Sequence, residues 1–164
     1  MQHAKDTFYI TLRDRIAALN PARTVLVRGV SRPAVLTEEN ELPSAAGPSD
    51  TFRLRWTELK VDAQGSQPLA AMRCEIRYAT TGNYGNAGMD RGRLLSAIDA
   101  ELSAAINAAP QRAAKTNYAA SAATPMQTNI FWSNVIFNPA QTTDERLERV
   151  ATVEVFSYQE AGEL

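Results

Sequence analysis

Two stretches decide the fold: TFRLRWTELKV at residues 51–61 and LAAMRCEIRYA at residues 69–79. In the second stretch, apolar or small side chains occupy every other position, and charged side chains occupy most positions between them. A period of two is typical of a strand with one buried side and one side facing water. The intervening DAQGSQP, residues 62–68, supplies turn residues. The two stretches therefore predict an antiparallel hairpin.

The first stretch changes phase within itself. Phe52, Leu54 and Trp56 fall on one side, whereas Leu59 and Val61 are one position out of step. A slip of one residue turns every later side chain to the opposite face unless the strand bulges or twists. We therefore expect a β-bulge or a strong twist between the two halves of this strand.

Outward from the hairpin, residues 4–19 and 89–109 carry apolar side chains at spacings of three and four, which predicts two amphipathic helices. β-Branched and aromatic runs predict further strands at 24–30, 129–138 and 146–158. The strand at 129–138 is apolar throughout and is expected to be covered on both faces.

This order, α-β-β-β-α-β-β, predicts an α+β fold in a single domain spanning residues 1–164. Two helices cover one face of a mainly antiparallel sheet of about five strands, which makes a two-layer sandwich. Long loops are expected at 31–51 and 108–128. The first holds three prolines and four acids. Such a loop is either mobile or binds a partner, and the sequence leaves both open.

Composition excludes several classes of protein. There are 17 Lys and Arg against 18 Asp and Glu, a net charge of −1, which argues against binding nucleic acid through bulk positive charge. No apolar run is long enough for a membrane span, and charges throughout residues 1–15 argue against a signal peptide. A single Cys and a single His exclude a disulfide and multi-His or multi-Cys metal sites, so no cofactor is expected.

The sequence offers no convincing set of catalytic residues. A Ser or Cys nucleophile needs a base beside it, and the one imidazole, His3, lies at the start of the chain. Cys74 falls on the apolar side of its strand and is expected to be buried. Asp99 and Glu101 do not face each other on a helix and are expected to be solvated. GNYGNAG, residues 82–88, lacks the spacing of a phosphate-binding loop, and Asp90 after it is a candidate N-cap.

Arginines stand out on the polar side of the hairpin. If the two strands pair, Arg53, Arg55, Arg73 and Arg77 share one sheet face with Glu75. That face is either solvated or meets an acidic face of a neighbouring subunit, since arginine is favoured at interfaces. The residues alone do not decide between the two.

The pattern resembles the tail terminator, or tail completion, proteins of tailed bacteriophages. The resemblance is carried by LRDRIAALNPARTVLV (12–27), by the arginine-alternating FRLRWTELKV (52–61) and MRCEIRYATTGNYG (72–85), by DRGRLLSAIDAEL (90–102) and by the closing VATVEVFSY (150–158). The resemblance lies in the order of the elements, the length of the chain and the general residue pattern. No short motif is diagnostic, because these proteins have no catalytic signature.

The resemblance implies a structural protein of the virion rather than an enzyme. Its members form a ring, commonly of six subunits, that caps the tail tube, stops its growth and provides the joint to the head connector or head-closure protein. It places the chain in the tail or neck, assembled in the bacterial cytoplasm, with no membrane, no cofactor and no sequence-specific contact with nucleic acid. The residues expected at subunit or partner interfaces are Glu38, Glu39, Glu41, Arg53, Arg55, Arg73, Glu75, Arg77 and Tyr84.

Two alternatives remain open. The chain could instead be another neck or head-closure ring, or the cap of a contractile injection apparatus. Such proteins have the same partners and the same steric mode of action. A small α+β ligand-binding domain belongs to a different class, and it should contain a closed pocket rather than unsatisfied sheet edges.

Overall fold

The computed structural model describes residues 1–39, 47–119, 121–161 and 163. Within them the chain forms two long helices, a short 3₁₀ turn at Tyr84–Asn86 and ten strands. The elements are α1 (Gln2–Leu19), β1 (Thr24–Val27), β2 (Val30–Pro33), β3 (Val35–Thr37), β4 (Phe52–Asp62), β5 (Leu69–Thr80), α2 (Arg91–Asn107), β6 (Arg112–Asn117), β7 (Thr124–Trp132), β8 (Ile136–Phe137), β9 (Gln141–Thr143) and β10 (Arg146–Tyr158).

The strands form one large sheet and one separate hairpin. The order in the sheet is β3-β4-β5-β10-β7-β6, and β8 and β9 also pair with β10. β3 and β4 run parallel, and the other pairs are antiparallel. β1 and β2 pair only with each other among the described strands.

The predicted central hairpin is confirmed as β4 and β5. Arg53 lies opposite Arg77 and Arg55 opposite Glu75, and the register shifts between Trp56 and Glu58. The bulge expected from the phase change is therefore present. Because of it, Leu59 and Val61 stay on the same side as Trp56.

Both helices pack on one face of the sheet, which we call the inner face. The core combines α1, α2 and inward side chains of β4, β5, β7 and β10. Its largest fully buried side chains include Phe8, Phe52, Ile16, Leu54, Met72, Ile76, Leu95, Leu102, Ile106 and Ile130. The predicted α+β class with two helices on one face is thus confirmed. The described helices include none that is long and apolar enough to cross a membrane.

The predicted strand count and element order are wrong in detail. The expected loop at 31–51 contains most of β2 and all of β3, and the expected loop at 108–128 contains β6 and the start of β7. The expected strand at 129–138 is two strands, and Phe131 and Ile136 are 38% and 65% exposed, so it is not covered on both faces. The sequences of these short strands show no clear alternation. They form strands because neighbouring strands of the sheet supply their hydrogen-bond partners.

Acidic residues on α2 are also less solvated than expected. Arg23 donates to both carboxylate oxygens of Glu101, at 2.7 and 2.9 Å, and both side chains are largely buried. Asp99 accepts a hydrogen bond from the buried Tyr78 and lies 3.3 Å from Arg149. Burial and the hydrogen bond to Asp99 together raise the pKa of Tyr78. The two carboxylates therefore fasten α2 to the start of β1 and to the sheet.

Candidate assembly surface

The sheet face opposite the helices, here called the outer face, carries most of the predicted interface residues. Phe52, Leu54, Met72, Cys74 and Ile76 are buried on the inner face, so alternation turns the residues between them outward. The outer face therefore brings together Arg53, Arg55, Arg73, Glu75 and Arg77, as the sequence predicted.

One row of ion pairs runs across three strands of this face. Arg73 lies 3.2 Å from Glu58 on β4 and 3.6 Å from Glu154 on β10, and the Arg73 and Glu154 side chains are about half exposed. A hydrogen bond and positive charge from Lys60, with Arg73, lower the pKa of Glu58. Exposed pairs of this kind contribute little to folding stability. Because the Arg73 and Glu154 side chains are half exposed, they can also contact another molecule.

The remaining predicted interface residues are placed elsewhere or only near this face. Glu38 lies 3.9 Å from Arg55 at the edge of β4. Glu39 instead bonds Lys5 of α1, at 2.6 Å. Tyr84 is 96% exposed in the loop after β5. Glu41 lies outside the described residues.

Apolar side chains on the outer face were missed by the sequence interpretation. Phe131, Ile136 and Tyr158 are exposed by 38%, 65% and 43%. Each points outward. Phe131 follows the inward-facing Ile130 on β7, Ile136 lies opposite the outward-facing Thr152 of β10, and Tyr158 occupies an outward position of β10. The alternation of β10 was the available signal, but the outward residues of β7 could be assigned only once its pairing was known.

A cleft of about 270 Å³ lies at one end of this face. Arg53, Arg77 and Arg149 line it together with Asn138 and Glu148. Gly47 lies against the Arg53 guanidinium, and its carbonyl accepts a hydrogen bond from Arg146 at 2.8 Å. The cleft is therefore a cationic recess bordered by the segment that leads into β4.

The glycine loop after β5 is closed by its own carboxylate. Asp90 accepts hydrogen bonds from the Asn83 backbone at 2.9 Å and from the Asn86 side chain at 3.2 Å. The Asn83 bond is the main cause that lowers the pKa of Asp90. Asp90 occupies the predicted N-cap position of α2, but its side chain makes no capping bond there. The loop N–H group at Asn83 is thus already occupied.

Acid should loosen this loop. Because the folded pKa of Asp90 is depressed, its stabilising effect is present above the ordinary aspartate value, about 3.9, and is lost as pH falls through the folded value. We expect protection of the Asn83 amide against hydrogen exchange, after correction for intrinsic rates, to fall across that range. In Asp90→Asn the protection should be lower and nearly independent of pH. Equal protection in both proteins would contradict the role of the carboxylate.

The described part of the chain was expected to hold neither a metal cluster nor a reactive cysteine. No three of its His, Cys, Asp and Glu side chains are placed to hold a metal ion. Cys74 is fully buried, as expected, and burial raises the pKa of its thiol.

No protein-family model matches the chain, and no curated protein matches it. Among solved structures it is similar to a chain of the "virion of native gene transfer agent (GTA) particle". The two are 11% identical, the match covers 96% of this chain and 98% of the other, and the TM-score is 0.40. A likeness at that level does not assign a function.

Proposed function

We propose that this chain is a structural protein of a tailed-phage virion that assembles into a ring and caps the tail tube, as a tail terminator does. Six copies are the expected number. The ring stops growth of the tube and presents a surface to the head connector or head-closure protein. Its action is steric and not enzymatic, and it takes place in the tail or neck after assembly in the bacterial cytoplasm.

The observation that supports this proposal is the outer face. Arg55, Arg73 and Glu154 share this face with the exposed Phe131 and Tyr158, and the helices cover most of the sheet's inner face. Arginine and aromatic side chains are enriched where proteins meet, and charge rows of both signs set the register of such contacts. In a ring each patch meets a different patch of the next copy, which suits a face with charges of both signs.

Reversing charges on this face tests the proposal. Arg73→Glu with Arg77→Glu should weaken assembly by at least about tenfold, because the reversed side chains repel carboxylates on the partner. Assembly of the unaltered protein should also weaken as salt rises. The measurement is native mass across protein and salt concentration, with and without tail tubes from the same source.

Arg93→Glu provides the matched control, since Arg93 is exposed on α2 and lies away from the sheet. It should assemble as the unaltered protein does. A protein that stays monomeric at high concentration and does not bind tail tubes contradicts the ring. An oligomer unchanged by the double reversal contradicts the role of the outer face.

Other ring proteins of the neck, or a contractile-injection cap, would use the same surfaces and differ in the partner they bind. A second class of function, binding of a small anionic ligand, is favoured by the cationic cleft of Arg53, Arg77 and Arg149. Arg77 and Arg149 already pair with Glu75 and Asp99, which makes this the weaker candidate. Saturable binding of inorganic phosphate to a monomer that ignores tail tubes would favour it.

A further inference from the structure

The β1–β2 hairpin is an arm whose edges and apolar side chains have no described partner strand. Leu26 and Val30 are exposed by 71% and 63%, and the register turns them to opposite sides of the hairpin. A two-stranded hairpin is only marginally stable alone, and unpaired strand edges are templates for a further strand. The arm therefore has the features of an element that another surface completes.

The base of this arm is held firmly to the body. Arg23, just before β1, makes the two-bond contact with Glu101 of α2 described above. Just after β2, the Ala34 amide donates to the Arg23 carbonyl at 3.0 Å. At the far end, Arg28 and Gly29 both have positive φ, 50° and 82°, which is the backbone of a tight type I′ turn. The arm thus projects from a fixed base.

A second unpaired edge lies at the far end of β4. β3 pairs with β4 only as far as Leu54, and no other described strand pairs with that side of β4 at residues 57–62. Leu59 and Val61, which the bulge keeps on the inner side, are exposed by 48% and 41%. Beyond the cover of the helices, this edge offers backbone groups and apolar side chains together.

We propose that the β1–β2 hairpin of one copy docks along residues 57–62 of β4 in a second copy, extending the sheet by strand addition. Each side supplies an unpaired edge whose backbone groups can pair with the other. In this pairing Leu26, on one side of the hairpin, lies on the same sheet face as Leu59 and Val61. The charges also match: residues 24–33 contain arginine and no acid, whereas residues 57–62 hold two acids and one lysine.

The occupant is a second copy of this chain because every copy carries both surfaces. The two surfaces differ, so the contact is head to tail, and repeating it around an axis closes a ring. The inference deepens the proposed ring and rests on it. It adds a contact of the arm with the β4 edge to the contact between copies that the outer face makes.

Cross-linking tests the contact directly. Two separate proteins, Leu26→Cys and Val61→Cys, are mixed and treated with a short bismaleimide, with the buried native Cys74 present in both. We expect a covalent dimer containing one copy of each variant, resolved by mass spectrometry, and little product from either variant alone. Met89→Cys in place of Leu26→Cys is the control, since Met89 is 89% exposed outside both surfaces. Equal products from the control contradict the contact.

Substitution gives a second, independent readout. Leu26→Asp and Val61→Asp should each raise the concentration for half-assembly by at least about tenfold, because each places a charge in an apolar contact. Met89→Asp should have no such effect. Arg28→Asn should weaken assembly only a few-fold and reduce its salt dependence, since asparagine suits the positive φ at that position while removing the charge.

The outcomes separate this inference from the ring itself. Circular dichroism, and thermal melting at concentrations where the protein is monomeric, should be unchanged in all variants, since each altered side chain is exposed. A ring that forms normally with Leu26→Asp and Val61→Asp overturns the arm contact but leaves the proposed function standing. An unaltered protein that neither assembles nor cross-links, even with tail tubes, overturns both.

Discussion

Replacing Lys115 by methionine will lower the free energy of unfolding by about 3–5 kcal/mol, although lysine is usually a surface residue. Lys115 is fully buried within β6, where the register with β7 shifts. Its ammonium donates to the Tyr158 carbonyl at 2.6 Å and pairs with Glu163, whose side chain is 3% exposed. Removing the lysine leaves that buried carboxylate with only the N-terminal ammonium, 3.6 Å away, as its cation. This loss is costlier than the loss of an exposed ion pair.

A second carboxylate, Glu160, also depends on Lys115 and enlarges the effect. Burial tends to raise the pKa of Glu160, but hydrogen bonds from Thr128 and the charge of Lys115 bring it below its ordinary value. Burial tends to raise the pKa of Glu163 as well, and the Lys115 hydrogen bond reverses this. Both carboxylates are therefore charged at neutral pH and depend on the same ammonium.

Lys60→Met provides the matched control for urea unfolding. Its side chain is 74% exposed and also pairs with a glutamate, Glu58, at 2.6 Å. The same substitution there should change the unfolding free energy by less than about 1 kcal/mol. The double variant Lys115→Met with Glu163→Met should recover part of the loss, because neither charge is then left alone. Equal effects of the two single substitutions would mean that the Lys115 cluster is solvated.

The sequence predicted best those elements whose pattern does not depend on distant partners. The alternation of β5 follows from a strand with one side against the core, and the stripes of α1 and α2 follow from helices on that core. Even the bulge between Trp56 and Glu58 was visible, because a phase change within one strand has few physical explanations.

The same reasoning explains why β3 and β6 were missed. VLT at Val35–Thr37 is too short for a period, and RAAKTN at Arg112–Asn117 contains residues that favour no strand. Both are strands because β4 and β7 supply their hydrogen-bond partners, β7 as the next strand of a hairpin. Which segments pair is a property of the fold and is not visible in the composition of β3 or β6.

The candidate site divides in a similar way. The five outer-face residues of β4 and β5 follow from alternation, so Arg53 and Glu75 were placed correctly on one face. The ion pair of Arg73 with Glu154 needed the position of β10, and the apolar part of the face needed that of β7. The sequence indicated the burial of Lys115 only weakly. Alternation places Lys115 on the same side of β6 as the half-buried Ala113, but its carboxylate partners lie in the segment after β10.

Replacing Phe8 by alanine will cost about 3–5 kcal/mol of unfolding free energy, within the range for truncating a buried aromatic side chain. The Phe8 ring is 2% exposed and meets two tryptophans edge to face, with centroid distances of 5.9 Å to Trp56 and 5.7 Å to Trp132. Those tryptophans lie on β4 and β7, which β5 and β10 separate in the sheet. One phenyl ring on α1 therefore joins both sides of the curled sheet, and the cavity left by alanine borders both.

Phe131→Ala is the control, because Phe131 is the neighbour of Trp132 on β7 but is 38% exposed on the outer face. Its loss should cost roughly 1 kcal/mol, since much of the ring is never taken out of water. Thermal and urea unfolding of both variants compare the two sides of a single strand. If the outer face is an assembly surface, Phe131→Ala weakens oligomer formation while keeping the fold, whereas Phe8→Ala lowers stability and assembles normally below its melting temperature. The reverse pattern would place the contact surface on the helical side.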